Sequence, residues 1–337
     1  MALRNFLTNI PNLPPIPPLW DSNPERTAEW LAEQDRQIRH EIREEIINLF
    51  DRIYHSPCPY IAPSAPGQLK ITCKYLSLND AGGYDEHKQF FKPKPLSWLR
   101  SHPVDTKKIP KNQQAGQQWS APKTGQCADY VEAASISAGF ICEFSRYARI
   151  GIESDYTLEE LSGWIDRGTG HRIESRPSMK PSTPDNDARP AAPWNTRIAA
   201  SWIRDDAHPH LTCILENASP PHDDLLRSEV LTILGLMRES LSRYSLQKHR
   251  IVPITAISCM NGREARLLQA FFLQEELVIY KSGLLNFSIE KSMSVNVPLF
   301  MLYLASEPVG DTILKPYQQH WLWTGGDALA TLIVNNI

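Results

Sequence analysis

The stretch Ser201-Trp-Ile-Arg-Asp-Asp-Ala-His-Pro-His-Leu-Thr-Cys-Ile-Leu-Glu216 joins a polar block to a strongly apolar run. The apolar run predicts a buried β-strand over 210–216, because four to eight consecutive apolar residues are typical of a strand covered on both faces. Two adjacent acids and His208 precede this strand, His210 begins it, and Glu216 ends it. Acids placed in this way hold a metal ion or a cationic group in several enzymes that act on nucleic acids. This block is therefore the first candidate for chemistry.

The segments that follow the block predict the rest of the core. Apolar residues at helical spacing predict a helix over 224–243, and the almost wholly apolar run Ile251–Met260 predicts a central strand. Asn261-Gly262 is a strong hairpin signal, and further strands are expected over 266–272 and 277–281. The predicted fold class is α+β, with an α/β-like core in which a mixed β-sheet is flanked by helices.

The N-terminal half is predicted to be mainly helical. An amphipathic pattern follows Asn23 and Pro24, a second helix is expected over 127–150, and Thr157-Leu-Glu-Glu160 is a capping box for a third that ends near Gly168. One strand is expected over 69–78. The predicted organisation is a Pro-rich arm (1–22), a mainly helical part (23–175), a flexible loop (176–193) and a sheet-containing core (194–337), all in one compact unit.

Composition excludes several classes of protein. The formal net charge of −3 over 337 residues gives no overall electrostatic reason to bind nucleic acid, so any such surface must be local. None of the six cysteines forms a C-x-x-C pair, which argues against a zinc site, and we expect no metal and no cofactor. No apolar stretch is long enough for a signal peptide or a membrane span, so a cytoplasmic protein without membrane contact is predicted.

Residues 84–125 form a basic-aromatic segment within this acidic protein. Eight Lys or Arg residues are interleaved with Phe90, Phe91, Trp98 and Trp119, against three acids. Such a segment can follow a phosphate backbone and stack on bases. The alternative is a solvated loop whose aromatic residues anchor it to the core. The candidate contacts to RNA are Lys92, Lys94, Arg100, Lys107, Lys108 and Lys111.

The order acid, strand, acid, helix and strand resembles the restriction-endonuclease-like, or PD-(D/E)XK, core. In that core the acids bind a divalent metal, and a lysine two residues after the last acid activates water. Here that position is Ala218, which places a hydrolytic nuclease in doubt although the scaffold can remain in a degenerate form. A purely structural alternative pairs Arg204 with Asp205 or Asp206, and Glu216 with Arg227.

Across roughly residues 25 to 310, the chain resembles the fungal arginine-containing cyclodipeptide synthases. The blocks that carry the resemblance are Asn112-Gln-Gln-Ala-Gly-Gln-Gln-Trp119, Ala148-Arg-Ile-Gly151, Gly168-Thr-Gly-His171, Ser201-Trp-Ile-Arg-Asp-Asp-Ala-His-Pro-His210 and Leu225-Leu-Arg-Ser-Glu229. The resemblance implies a transferase of secondary metabolism that joins two amino acids from aminoacyl-tRNAs, one of them arginyl-tRNA, into a cyclo-Arg-Xaa diketopiperazine. ATP would not be needed, because the ester is already activated.

Residue types then suggest the roles within such a site. Clustered carboxylates suit an arginyl group, and a histidine suits a base for the amine nucleophile. The catalytic candidates are Asp205, Asp206, Glu216 and His208, and the substrate-binding candidates are Glu229, His210, Arg204 and Trp202. Two other functions stay open: a divalent-metal nuclease, and an inactive nucleic-acid-binding protein on the same scaffold.

Overall fold

The computed structural model describes residues 24–56, 58–61, 69–78, 90–109, 128–150, 155–166, 194–202, 208–273 and 275–313. Contacts divide the chain into two compact units, Met1–Ile42 with Leu314–Ile337, and Arg43–Ile313. The second unit contains the whole sheet. The Pro-rich arm and the loop 176–193 lie outside the described residues.

The sheet is eight-stranded and mixed, with the order β2-β10-β9-β8-β6-β5-β4 and the short β11 beside β9. The strands are β1 (Tyr60–Ile61), β2 (Ile71–Tyr75), β3 (Phe91–Lys92), β4 (Trp164–Asp166), β5 (Trp194–Trp202), β6 (Leu211–Asn217), β7 (Leu225–Leu226), β8 (Ile254–Met260), β9 (Glu264–Leu273), β10 (Glu276–Lys281), β11 (Leu285–Asn286) and β12 (Glu307–Pro308). The pairs β6–β8 and β10–β2 are parallel, and the other pairs in the sheet are antiparallel. The predicted α+β fold with a mixed sheet is therefore confirmed.

Helices cover both faces of this sheet. The α-helices of the described residues are α1 (Pro24–Tyr54), α2 (Leu96–Ser101), α3 (Ala128–Ile141), α4 (Leu158–Ser162), α5 (Arg227–Leu241) and α6 (Glu290–Leu304), of which α3, α5 and α6 cover the sheet. Ser137 of α3 bonds Glu216, whereas Ser228 of α5 bonds the next residue, Asn217. Because successive strand residues point to opposite faces, α3 and α5 cover opposite faces of the sheet, called here the α3 face and the α5 face. Phe140 of α3 stacks on Phe300 of α6, so α6 belongs to the α3 side.

The central strands form where apolar runs predicted them. Every residue of β6 and β8 is buried, which explains why their sequences lack the alternation of a half-exposed strand. The turn at Asn261-Gly262 joins β8 to β9, as expected, and Gly262 has a φ of +76°. Glycine takes this left-handed conformation at little cost, and the next residue of the turn, Arg263, is also left-handed with a φ of +56°.

The third helix is shorter than the sequence suggested. The capping box forms, with the Thr157 hydroxyl accepting from the Glu160 backbone N–H and the Glu160 carboxylate accepting from the Thr157 backbone N–H. The helix α4 then stops at Ser162, because Gly163 takes a φ of +85° and ends it. The prediction of a helix reaching Gly168 was wrong, since the chain already continues as β4.

The N-terminal half supplies strands as well as helices. The strand β2, expected from its alternation, lies parallel to β10 at one edge of the sheet. At the other edge β4 pairs with β5, so the sheet extends beyond the segment 194–337. The sequence did not reveal β5 itself, because Asn195, Thr196 and Arg197 interrupt its apolar pattern and a register shift separates Thr196 from Ile198.

Candidate functional site

The predicted site residues lie at two opposite ends of β6. Trp202 ends β5 and His208 and His210 precede β6, whereas Glu216 lies at the far end of β6. A strand rises about 3.3 Å per residue, so the six residues from His210 to Glu216 separate their backbones by about 20 Å. The structure therefore does not bring Glu216 into one pocket with the histidines. Arg204, Asp205 and Asp206 lie outside the described residues.

Aromatic side chains line the end of the sheet that carries Trp202, His208 and His210, called here the histidine end. Ala200 of β5 and Thr212 of β6 are paired and lie on the α3 face. Trp202 follows Ala200 by two residues and His210 precedes Thr212 by two. Because side chains alternate along a strand, Trp202 and His210 also lie on the α3 face. Trp164 meets Trp202 edge-to-face, with ring centroids 5.4 Å apart. The His208 and His210 rings are 5.7 Å apart.

His210 is a packed core histidine. It is fully buried, its Nε2 donates to the Val309 carbonyl at 3.1 Å, and the Phe91 ring lies edge-on at 5.2 Å. Burial lowers the pKa of His210 to about 3, because the charged imidazolium would lose its hydration there. At neutral pH His210 is therefore uncharged and suited to positioning. His208 is only half-buried, which leaves it the more accessible base.

The basic-aromatic segment is docked against this end of the sheet. The Phe90 ring lies 4.9 Å from the Phe271 ring and 6.3 Å from that of His210, and the Val309 N–H donates to the Phe90 carbonyl at 2.9 Å. The strand β3 also pairs with β12. Phe90 and Phe91 thus anchor the segment to the core, which agrees with the interpretation of the segment as a solvated loop held by its aromatic residues.

The cations of this segment fall into two groups. Lys94 pairs with Glu307 and lies 5.4 Å from the centre of the Trp98 ring, and Lys108 pairs with Asp155. The exposed Lys92, Arg100 and Lys107 are the better candidates for contact with a polyanion. Lys94 and Lys108 already form ion pairs with acidic side chains of the protein. The remaining candidate, Lys111, lies outside the described residues.

Glu216 forms a separate buried cluster at the other end of the sheet. Its carboxylate is 1% exposed and accepts hydrogen bonds from Ser137 and from Asn195 Nδ2 at 3.3 Å. Arg197, which is 44% exposed, places its Nε 3.4 Å from the same carboxylate. The expected structural partner was Arg227, but that side chain instead donates to backbone carbonyls of Tyr54 and Ser56. The actual partners were missed because α3 and β5 are distant in sequence.

Glu229 is held by a partner that the sequence did not reveal. Arg266 of β9 donates to Glu229 Oε1 at 2.8 Å, and both side chains are at most 1% exposed. The other carboxylate oxygen accepts from the Leu226 N–H at 2.8 Å, which caps the start of α5. A substrate guanidinium would have to displace Arg266, so Glu229 is a structural acid in this state of the protein. The signal missed was a lone arginine within the apolar strand β9.

The described residues contain no cluster of side chains suited to a metal ion and no helix that could span a membrane. Across them, no three His, Cys, Asp or Glu side chains are grouped to hold a metal. Within the same ranges, none of the helices has the length and apolar character needed to cross a bilayer. Compared with known proteins, the chain matches no family model, no curated protein and no solved structure.

Proposed function

We propose that the protein is an aminoacyl-tRNA-dependent cyclodipeptide synthase that makes a cyclo-Arg-Xaa diketopiperazine, with its active site at the histidine end. One observation carries the proposal: Phe90 and Phe91 dock the basic-aromatic segment against His210. This contact joins the exposed cations of the segment, which are the candidate RNA contacts, to the end of the sheet that carries the half-buried His208. Asp205 and Asp206 belong by sequence to the connection between Trp202 and His208.

The chemistry needs a base, a cation-binding group and a polyanion-binding surface. His208 removes a proton from the attacking α-amine, whose nitrogen forms a bond to the ester carbonyl of the other aminoacyl-tRNA while the ribose oxygen leaves and takes a proton. A second, intramolecular attack closes the ring and releases the second tRNA. Asp205 or Asp206 pairs with the guanidinium of the arginyl group, and Lys92, Arg100 and Lys107 contact phosphates.

Glu216 has no direct part in this proposal. Its carboxylate is already engaged by Ser137, Asn195 and Arg197, at the far end of β6. We therefore assign it a structural role, which replaces the catalytic role expected from sequence. The same engagement gives no support to a metal-dependent nuclease.

The test is expression of the full chain in a bacterium, with mass spectrometry of the medium for arginine-containing diketopiperazines. We expect product from the wild-type protein and roughly a hundredfold less or lower from His208→Gln, since a general base contributes about 10²–10⁴ in rate. His55→Gln, at an exposed histidine near the end of α1, is the matched control and should leave the yield unchanged. Folded protein that releases no arginine diketopiperazine would contradict the proposal.

A further inference from the structure

A row of buried polar side chains crosses the sheet directly behind the aromatic residues of the histidine end. Thr212 of β6 pairs in register with Thr255 of β8, which pairs with Gln269 of β9. Residues that are directly opposite in a sheet share a face, and their Cβ atoms lie about 5 Å apart. Thr212 follows His210 by two residues, so these three residues, called here the polar row, lie on the α3 face next to His210.

The polar row has hydrogen-bonding capacity that the described part of the protein leaves unused. Thr212, Thr255 and Gln269 are 1%, 0% and 5% exposed. Thr212 Oγ1, Thr255 Oγ1 and Gln269 Nε2 form no hydrogen bond to the described residues. A buried polar atom without a partner costs about 1–3 kcal/mol, and these three residues occupy adjacent register positions.

The chemistry of the row defines what it can bind. The Gln269 amide donates from Nε2, and the two threonine hydroxyls can each donate and accept. The row contains no charged side chain, and the neighbouring His210 is uncharged at neutral pH. Burying an unpaired charge there would be costly, whereas an uncharged group with carbonyl oxygens and N–H groups matches the available atoms.

We infer that the polar row binds a planar, uncharged amide, and that under the proposed function this amide belongs to the diketopiperazine ring. Two carbonyl oxygens and two N–H groups of that ring complement the two hydroxyls and the side-chain amide. The part of the inference concerning the ring rests on the proposed function. Binding of a simple cyclic diamide can be measured without tRNA or turnover, so the two proposals can fail separately.

The experiment measures binding of cyclo(Gly-Gly), the simplest diketopiperazine, to the full chain by saturation-transfer NMR and titration. Thr255→Val removes one hydroxyl at nearly constant volume and should raise the Kd about five- to tenfold, as expected for one lost hydrogen bond. Its melting temperature should stay equal or rise, because an unpaired buried hydroxyl is removed. Thr212→Val is the second variant, with the same expectation.

Thr232→Val is the matched control. Thr232 of α5 is 2% exposed, its hydroxyl likewise forms no hydrogen bond to the described residues, and α5 covers the opposite face. Its substitution should leave the Kd unchanged. Absence of saturable binding to the wild-type protein would overturn the inference, as would equal binding by all three variants. Wild-type protein that binds cyclo(Gly-Gly) but makes no diketopiperazine would sink only the proposed function.

Discussion

Replacing Arg266 with methionine should destabilise the protein more than any surface change. The Arg266 guanidinium donates from Nε to Glu229 Oε1, from Nη1 to the His222 carbonyl and from Nη2 to the Asp224 carbonyl, each at 2.8 Å. Methionine retains most of the volume but leaves the buried Glu229 carboxylate without its cation. Breaking a buried pair by removing one partner costs about 3–5 kcal/mol in the free energy of unfolding.

The size of the unit sets the thermal effect. The unit Arg43–Ile313 exceeds 250 residues, for which about 2 °C is lost per kcal/mol, so the melting temperature should fall by roughly 6–10 °C. Urea unfolding at pH 7, followed by far-UV circular dichroism, gives the free energy directly. Lys70→Met is the control, because the Lys70–Glu275 pair is exposed and its loss should not move the midpoint measurably.

A double variant isolates the charge on Glu229. Arg266→Met combined with Glu229→Gln removes the unpaired buried carboxylate, yet the glutamine oxygen can still accept from the Leu226 N–H. The double variant should therefore recover about 1–3 kcal/mol relative to Arg266→Met alone. The reasoning is refuted if Arg266→Met costs less than about 1 kcal/mol, or if the two substitutions are additive.

Three further predictions follow from other contacts. The His210 pKa is lowered from 6.5 to about 3, so as the pH falls the unfolded chain binds a proton before the folded protein does. The contribution of His210 to the free energy of unfolding is therefore fully present above pH 6.5, and it falls by up to about 1.4 kcal/mol per pH unit towards pH 3. His210→Phe should flatten this part of the urea-midpoint profile, and an unchanged slope would contradict it. Glu216→Gln should lower the free energy of unfolding, measured in urea, by about 1–3 kcal/mol. An unchanged free energy of unfolding would show that the contact between Arg197 and Glu216 contributes nothing to stability. Under the proposed function, Arg100→Gln with Lys107→Gln should weaken tRNA binding and reduce the salt slope of that binding by about two, whereas Lys108→Gln, at an acid-paired lysine, should change neither.

Local sequence patterns were sufficient for much of the fold. The apolar runs of β6 and β8, the Asn261-Gly262 hairpin and the Thr157 capping box each act through neighbouring residues, so they could be predicted without the tertiary structure. The strand β5 was missed because three consecutive residues near its start are polar, and one of them, Asn195, donates to Glu216. Only the completed sheet explains their presence in a strand.

The candidate site was predicted in part. The histidine end and the basic-aromatic segment were both identified from sequence, but their mutual contact through Phe90 and Phe91 depends on how residues more than a hundred positions apart pack together. The polar row was not found, because Thr212, Thr255 and Gln269 are ordinary polar interruptions in apolar strands. Their alignment depends on strand register, which no single segment specifies.

The sequence by itself determined most of the secondary structure of the core, β5 excepted, and the residue types available for chemistry, because propensity, capping and apolar periodicity act over a few residues. The tertiary structure decided which of those residues meet. It separated Glu216 from His210 along one rigid strand, paired Glu229 with Arg266, and aligned the polar row across three strands. These outcomes depend on strand order and register, which arise only when distant segments pack into one sheet.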